Sequence, residues 1–103
     1  MSLNSTEQMV FDYVQSHPEE RHYWMEKVRS TFAREQDEHI AAARLDLDLW
    51  RYVEERSGVA SPFREFADQH GLRRTSMKNL AEYLLRLWTP PRAKKKAVQP
   101  SLD

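Results

Sequence analysis

A chain of 103 residues is long enough for one domain, since a single hydrophobic core usually organises about 100 to 150 residues. This length excludes a barrel enzyme and a two-domain dehydrogenase. The 16 basic and 16 acidic residues cancel to a net charge of zero, and the aromatic fraction of 11% is more than a disordered chain usually contains. Cysteine is absent, which excludes disulfides, thiolate metal sites and a cysteine nucleophile, and which fits a reducing compartment.

The sequence favours a cytoplasmic protein without a membrane partner. No apolar run approaches the roughly 20 residues that a membrane span needs, and the polar start at residues 1–8 is unlike a signal peptide. Only two glycines and five prolines are present, and apolar and polar residues show no sustained alternation. The composition therefore predicts an all-α fold of about five helices.

Capping-box spacing marks the first two predicted helices. Ser5 and Gln8 lie three residues apart and precede helically spaced apolar residues, so we place a first helix at about 6 to 15. Ser16 and Glu19 repeat the spacing, with Pro18 in the first turn, where its missing N–H costs nothing. The second helix therefore begins near residue 17. Its predicted inward residues are Tyr23, Trp24, Val28 and Phe32.

The charged stretch 34–38 leaves two alternatives for the middle of the chain. It contains no glycine or proline, so one helix could continue to Arg56 as a rod of about 39 residues and about 58 Å, which would suit an intertwined dimer. We favour a break, with Asp37 as the N-cap of a third helix at 39–56. A short strand at 45–49 would also fit the local alternation, but helix formers on either side favour the helix.

The third helix carries two apolar stripes, which is typical of a helix that is central or shared between subunits. One stripe consists of Ile40, Ala43, Leu47 and Trp50, and the other of Ala41, Leu45, Leu49 and Val53.

Glycine and proline delimit the last two predicted helices. Ser57-Gly58 ends the third helix, Ser61-Pro62 opens a fourth as N-cap and first residue, and Gly71 ends it. The fifth helix, about 75 to 88, stops before Pro90-Pro91. Residues 92–103 lack aromatics and periodicity and are predicted to form a disordered basic tail. We thus expect one helical domain at 1–91, with 6–57 and 61–89 as its two parts. The predicted inward residues of the fifth helix are Met77, Leu80, Leu84 and Leu87.

The segment 63–83, FREFADQHGLRRTSMKNLAEY, resembles a helix-turn-helix, a DNA-reading unit of two short helices that cross steeply around a turn. The resemblance lies in spacing. Ala67 is small enough for the second helix to cross close over it, and Gly71 suits a left-handed turn. His70 and Arg73 depart from the usual pattern, so a second helix would start late, near Thr75 or Ser76. Apolar residues would fill the wedge between the helices: Phe63, Phe66, Leu72, Met77 and Leu80.

The neutral total hides a division of charge along the chain. Residues 1–58 hold 12 acidic and 7 basic side chains, a net charge of −5, whereas residues 59–103 hold 9 basic and 4 acidic ones, a net charge of +5. In a helix-turn-helix, the N-terminal end of the second helix enters the major groove. The resemblance therefore implies DNA contacts at the start of the fifth helix, with further backbone contacts from the tail. The implied residues are Arg73, Arg74, Thr75, Ser76, Lys78, Asn79, Lys94, Lys95 and Lys96.

Metal and catalytic sites are not indicated. Glu19 and His22 form one Glu-x-x-His pair, and Glu35 lies four residues before His39, whereas a di-metal bundle needs two such pairs and two further glutamates. No serine lies in a nucleophile elbow, and no glycine-rich phosphate loop is present. We therefore expect neither enzyme activity nor a cofactor.

Two functions fit these features. The first is a small DNA-binding protein, a transcriptional regulator or architectural factor, that reads DNA with the helix starting near Thr75. Recognition helices about 34 Å apart would read successive major grooves, which favours a homodimer formed by the acidic N-terminal helices. The alternative is a non-enzymatic protein-interaction module or adaptor whose acidic N-terminal half docks a basic partner, or which pairs its own acidic and basic faces in an oligomer.

Overall fold

The computed structural model describes residues 2–71 and 73–90, which form five α-helices. The predicted all-α class is confirmed, and residues 45–49 are helical. Within these ranges, no helix is both long and apolar enough to cross a membrane. The predicted tail at 92–103 lies outside the described residues. The helices are α1 (Ser5–Ser16), α2 (Pro18–Arg34), α3 (Glu38–Ser57), α4 (Phe63–His70) and α5 (Lys78–Trp88).

The break before α3 lies where the sequence predicts it. Asp37 has an extended backbone, and its carboxylate accepts a hydrogen bond from the His39 N–H at 2.7 Å. This contact satisfies one of the N–H groups that lack a partner at a helix start. The rod of about 39 residues is thereby excluded, because α2 already ends at Arg34.

The first two caps differ from the prediction. Asn4 is the N-cap of α1: its side chain accepts from the Glu7 N–H at 2.8 Å, and the Glu7 carboxylate accepts from the Asn4 N–H at 2.9 Å. The capping box thus lies one residue before the predicted pair of Ser5 and Gln8. The N-cap of α2 is His17, which makes no side-chain capping bond. Ser16 does not cap α2, because its hydroxyl donates to the Asp12 carbonyl.

One face of α3 forms the centre of the core, and the opposite face is exposed. The stripe of Ala41, Leu45, Leu49 and Val53 is at most 2% exposed. Of the other predicted stripe, only Trp50 is buried; Ala43 is exposed, and Ile40 and Leu47 are 48% and 53% exposed. Within one chain, α3 therefore uses one of its two apolar stripes.

Helix α5 packs against α1, α2 and α3, while α4 packs mainly on α3. The inward face of α5 is rotated from the predicted one, because Leu85 is buried whereas Leu87 is 46% exposed. On α2, Tyr23 is likewise exposed rather than buried as predicted. Both errors arise because α5 and α2 each meet several neighbours, so the buried face depends on contacts between helices. The buried residues of α5 are Leu80, Ala81, Leu84 and Leu85.

A partly buried polar contact joins α2 to α3. The Tyr52 hydroxyl donates to the Glu20 carboxylate at 2.6 Å, and the same carboxylate accepts from Arg56 at 3.2 Å. Burial and the hydrogen bond to Glu20 raise the pKa of Tyr52 above its ordinary value. The hydroxyl therefore stays protonated and keeps α2 and α3 in register.

Both ends of α5 are held by other helices. At its start, the fully buried carboxylate of Glu7 accepts a hydrogen bond from the Leu80 N–H at 2.8 Å. At its end, Arg29 donates from Nε to the Trp88 carbonyl at 3.1 Å. A carboxylate at the start and a guanidinium at the end both complement the helix dipole. Because Glu7 also completes the capping box of α1, one side chain stabilises the starts of two helices.

We expect Glu7→Ala to lower the free energy of unfolding by roughly 3 kcal/mol, because a hydrogen-bonded charged group is lost and two N–H groups remain without it. Gln15→Ala, on the exposed surface of α1, is the control and should change stability little. Urea unfolding followed by circular dichroism measures both. Equal stability of the two variants would contradict the role assigned to Glu7.

Candidate functional site

The connection between α4 and α5 spans residues 71–77 and is longer than the three or four residues typical of a helix-turn-helix turn. Gly71 has the positive φ that was predicted, 81°, but its ψ of 162° lies in an extended region that is essentially limited to glycine, rather than in the left-handed helical region. Leu72, predicted to fill the wedge, lies outside the described residues. Helix α5 begins at Lys78 rather than near Thr75.

The late start of α5 has a physical cause in two carboxylates from other helices. Asp46 of α3 accepts a hydrogen bond from the Met77 N–H at 2.8 Å, and Glu7 accepts from the Leu80 N–H. The nearby hydroxyls act locally, since Thr75 donates to the Arg73 carbonyl and the Ser76 hydroxyl accepts from the Lys78 N–H. Long-range carboxylates, rather than Thr75 or Ser76 alone, therefore define where the helix begins.

The predicted base-reading end of α5 faces the N-terminal segment. The Asn4 side chain donates to the Ser76 carbonyl at 2.8 Å, and the Asn79 side chain donates to the Ser2 carbonyl at 3.4 Å. Of the predicted DNA contacts in this region, Asn79 and the backbone of Ser76 are thus engaged within the chain.

The two predicted arginines differ in their surroundings. Arg74 forms an ion pair with Asp46 at 3.0 Å and lies over the Trp50 ring, 5.6 Å from its centroid. Arg73 and Lys78 are exposed, and their side chains form no ion pair within the described ranges. The structure therefore leaves Arg73 and Lys78 available to solvent but fixes Arg74 against α3. Lys94, Lys95 and Lys96 fall outside the described residues.

Ala67 lies beside a small cavity between α4 and its neighbours. A cavity of about 10 Å³ beside it is lined by α1, α3, α4 and the connector residues Arg73 and Thr75, with no residue of α5. The ring of Phe63 meets those of Tyr13 and Tyr52, with centroids 4.9 and 5.5 Å apart. Ala67 thus shares this cavity with connector residues rather than with α5.

Comparisons with protein-family models, curated proteins and solved structures find no match.

Two adjoining depressions lie along α1. The larger, about 910 Å³, follows the outer face of α1 from Leu3 to His17 and is closed on one side by Ser61 and Pro62. The smaller, about 480 Å³, lies between α1 and Tyr83 of α5 and shares Leu3 and Gln8 with the larger one. We call the two depressions together the α1 surface. Its principal residues are Leu3, Gln8, Met9, Phe11, Asp12, Tyr13, Pro62 and Tyr83.

Half-buried apolar side chains dominate the α1 surface. Phe11 and Tyr83 meet edge to face, with ring centroids 5.4 Å apart, and Tyr13 stacks on His17 at 3.9 Å. Met9 is also half-buried and packs against the core. Such side chains are positioned by the core yet keep one side exposed, so a partner could bury them without large rearrangement.

The carboxylates at the α1 surface are Asp12, which lines it, and Glu65, which borders it through Ser61. Asp12 accepts a hydrogen bond from the Gln8 side chain at 3.0 Å, and the Ser61 hydroxyl donates to Glu65 at 2.8 Å. The hydrogen bond from Ser61 lowers the pKa of Glu65, so this carboxylate stays ionised near neutral pH. Neither depression has a lysine or arginine among its lining residues. The α1 surface therefore favours a partner that is apolar and basic.

A second exposed apolar feature lies on α3. Ile40, Ala43 and Leu47 follow one another at helical spacing on its outer face, and Arg44 and Arg51 flank them. Arg44 pairs with Glu35 at 2.7 Å but remains 59% exposed, and Arg51 forms no ion pair with a described residue. We call these five residues the α3 strip.

The carboxylate and histidine pairs noted in the sequence have ordinary partners. Glu35 binds Arg44, and His22 lies 3.5 Å from Glu26. Glu35 lies outside α3, so it does not share a helical face with His39. Across 2–71 and 73–90, no group of three or more metal-ligating side chains is close enough to hold an ion.

The unequal roles of Arg73 and Arg74 can be tested by stability. Arg74→Ala removes the ion pair with Asp46 and the contact with Trp50, and we expect a loss of about 1 kcal/mol, since the pair is partly solvent-screened. Arg73→Ala is the matched control and should change the free energy of unfolding by less than about 0.5 kcal/mol. Thermal or urea unfolding of both variants measures the two changes in stability. A larger loss of stability for Arg73→Ala than for Arg74→Ala would contradict the described contacts.

Proposed function

We propose that this chain is a non-enzymatic protein-interaction module that binds a partner through the α1 surface. The observation that supports this proposal is a contrast between two parts of the molecule, the start of α5 and the outer face of α1. The groups at the start of α5 that would read DNA are partly used inside the chain, whereas the aromatic and aliphatic side chains along α1 are half-exposed. This favours the alternative that the sequence left open, an acidic N-terminal half that docks a basic protein.

The composition of the α1 surface fits such a role. Aromatic residues and methionine are enriched in protein interfaces, and the residues that dominate binding are usually surrounded by polar groups that exclude water. Tyr13, Phe11 and Met9 would supply the apolar contacts, while Gln8 and Asp12 form part of the polar edge. Acidic groups at that edge would select a partner with lysine or arginine beside its apolar residues. A cytoplasmic location and self-association stay predictions.

A pair of synthetic peptides tests the proposal. One is an amphipathic leucine–lysine helix and the other a leucine–glutamate helix of equal length. Added to the isotope-labelled full-length chain, the leucine–lysine peptide should shift amide resonances of residues 3–17 and of Ser61, because apolar contact and charge act together there. The leucine–glutamate peptide should bind on the order of tenfold more weakly, which corresponds to 1.4 kcal/mol.

Met9→Lys is the test variant for this surface, since it places a positive charge among the apolar residues that the peptide would contact. Gln69→Lys, on the exposed side of α4, is the matched control for charge. The proposal fails if the two peptides bind equally, if the shifts lie away from α1, or if Met9→Lys binds as well as Gln69→Lys does.

Nucleic-acid binding is the second candidate, favoured by the exposure of Arg73 and Lys78 at the same end of α5. Phosphate contacts make affinity fall steeply with salt, by about one unit of slope in a log–log plot for each contact. On this hypothesis Arg73→Ala should reduce that slope by about one, whereas Arg74→Ala should change it less because Asp46 already holds Arg74. A titration of duplex DNA at several salt concentrations measures both. No binding at low salt would exclude this candidate.

A further inference from the structure

Two exposed apolar features of this chain have opposite charge. The α3 strip presents Leu47 between Arg44 and Arg51, with Ile40 one turn before Arg44, and the α1 surface presents apolar side chains beside Asp12, with Glu65 bound to Ser61 at its edge. We propose that the α3 strip of one copy binds the α1 surface of a second copy. The inference rests on the proposed function of the α1 surface and names the partner as another molecule of the same chain.

The dimensions of the two features agree. Ile40 and Leu47 are 48% and 53% exposed and lie seven residues apart, about 10 Å along the helix axis. The helical part of the α1 surface spans Ser5–Ser16, about 18 Å at the same rise per residue. Both apolar side chains of the strip can therefore lie over α1 at once. Helix packing of this kind buries apolar area on both sides without unfolding either copy.

Charge decides between this contact and a symmetric one. In an antiparallel pair of α3 helices centred between Leu47 and Asp48, Arg51 of each copy would lie opposite Arg44 of the other, and like charges at such positions oppose pairing, although the ion pair of Arg44 with Glu35 weakens this repulsion. Against the α1 surface, Arg51, which has no ion pair with a described residue, would meet Asp12. Asp12 forms no ion pair with a described residue, so it is available to a guanidinium.

The contact joins different surfaces, so each bound pair keeps one free α3 strip and one free α1 surface. Such heterologous contacts continue into a ring or an open chain rather than stop at two copies. Sedimentation of the wild-type protein should therefore give an average mass that rises with concentration and passes that of two copies. A plateau at two copies that Met9→Lys leaves unchanged would indicate the symmetric contact and overturn the inference.

A mixing experiment provides the sharper test. Met9→Lys blocks the α1 surface and keeps the α3 strip, whereas the double variant Ile40→Ser with Leu47→Ser blocks the strip and keeps the α1 surface. Each variant alone should remain monomeric, with a dissociation constant for self-association raised at least tenfold. An equimolar mixture should form a heterodimer, because each partner retains the surface that the other lacks. Circular dichroism checks that both variants keep their helices, and Gln69→Lys should associate as the wild type does.

The outcomes separate this inference from the proposed function. The inference that the partner is a second copy is wrong if the mixture of variants stays monomeric. It is also wrong if the wild-type chain is monomeric at hundreds of micromolar. If the leucine–lysine peptide still shifts residues of α1, the proposed function stands and the partner is a different protein. If the peptide fails to bind as well, both the inference and the proposed function are wrong.

Discussion

The buried carboxylate of Glu7 is the contact on which the arrangement of the helices depends. It completes the capping box of α1 and accepts a hydrogen bond from the Leu80 N–H in the first turn of α5. The starts of the first and last helices therefore lie next to each other. A buried carboxylate is costly unless its oxygens are hydrogen-bonded, and here two helix starts provide the donors. With α5 fixed in this way, its apolar face lies against α2 and α3 and closes the core.

This constraint also decides which surfaces remain for function. Because α1 begins over the start of α5, residues 2–4 and Asp46 occupy part of the region that a helix-turn-helix would present to DNA. The outer face of α1 is the side left open, together with the face of α3 that points away from the core. The bundle thus directs its polar contacts inward at the start of α5 and leaves apolar side chains on α1 and α3 exposed.

Local signals in the sequence predicted much of the fold. Asp37, Gly58 and Gly71 are local signals that depend on a few neighbouring residues. In the structure α3 begins after Asp37 and ends before Gly58, and α4 ends before Gly71. Pro62 is the N-cap of α4 rather than its first residue, a difference of one position. The sequence does not distinguish between neighbouring cap positions in α1 and α2, since polar residues three apart occur more than once at each helix start.

The candidate site could be predicted less well, because its determinants are contacts between distant residues. Arg74 belongs to a basic cluster in the sequence, but its partner Asp46 lies 28 residues away. Glu7 and Leu80 are 73 residues apart. The sequence places Met9 and Tyr13 on a helix but does not show that they border a depression. Ser61 and Pro62 lie beside them only in the folded chain. A charge count along the sequence does not distinguish a free arginine from a paired one.

The two end contacts of α5 have a consequence for its motion. A helix of 11 residues is too short to persist alone in water, and its terminal turns would ordinarily fray. Here the Glu7 carboxylate accepts from the first turn and Arg29 donates to the Trp88 carbonyl, so neither end can open without breaking a contact to another helix. Amide hydrogen exchange at the start of α5, where the Leu80 N–H binds a fully buried carboxylate, should therefore follow separation of α1 from α5 rather than fraying of α5 alone.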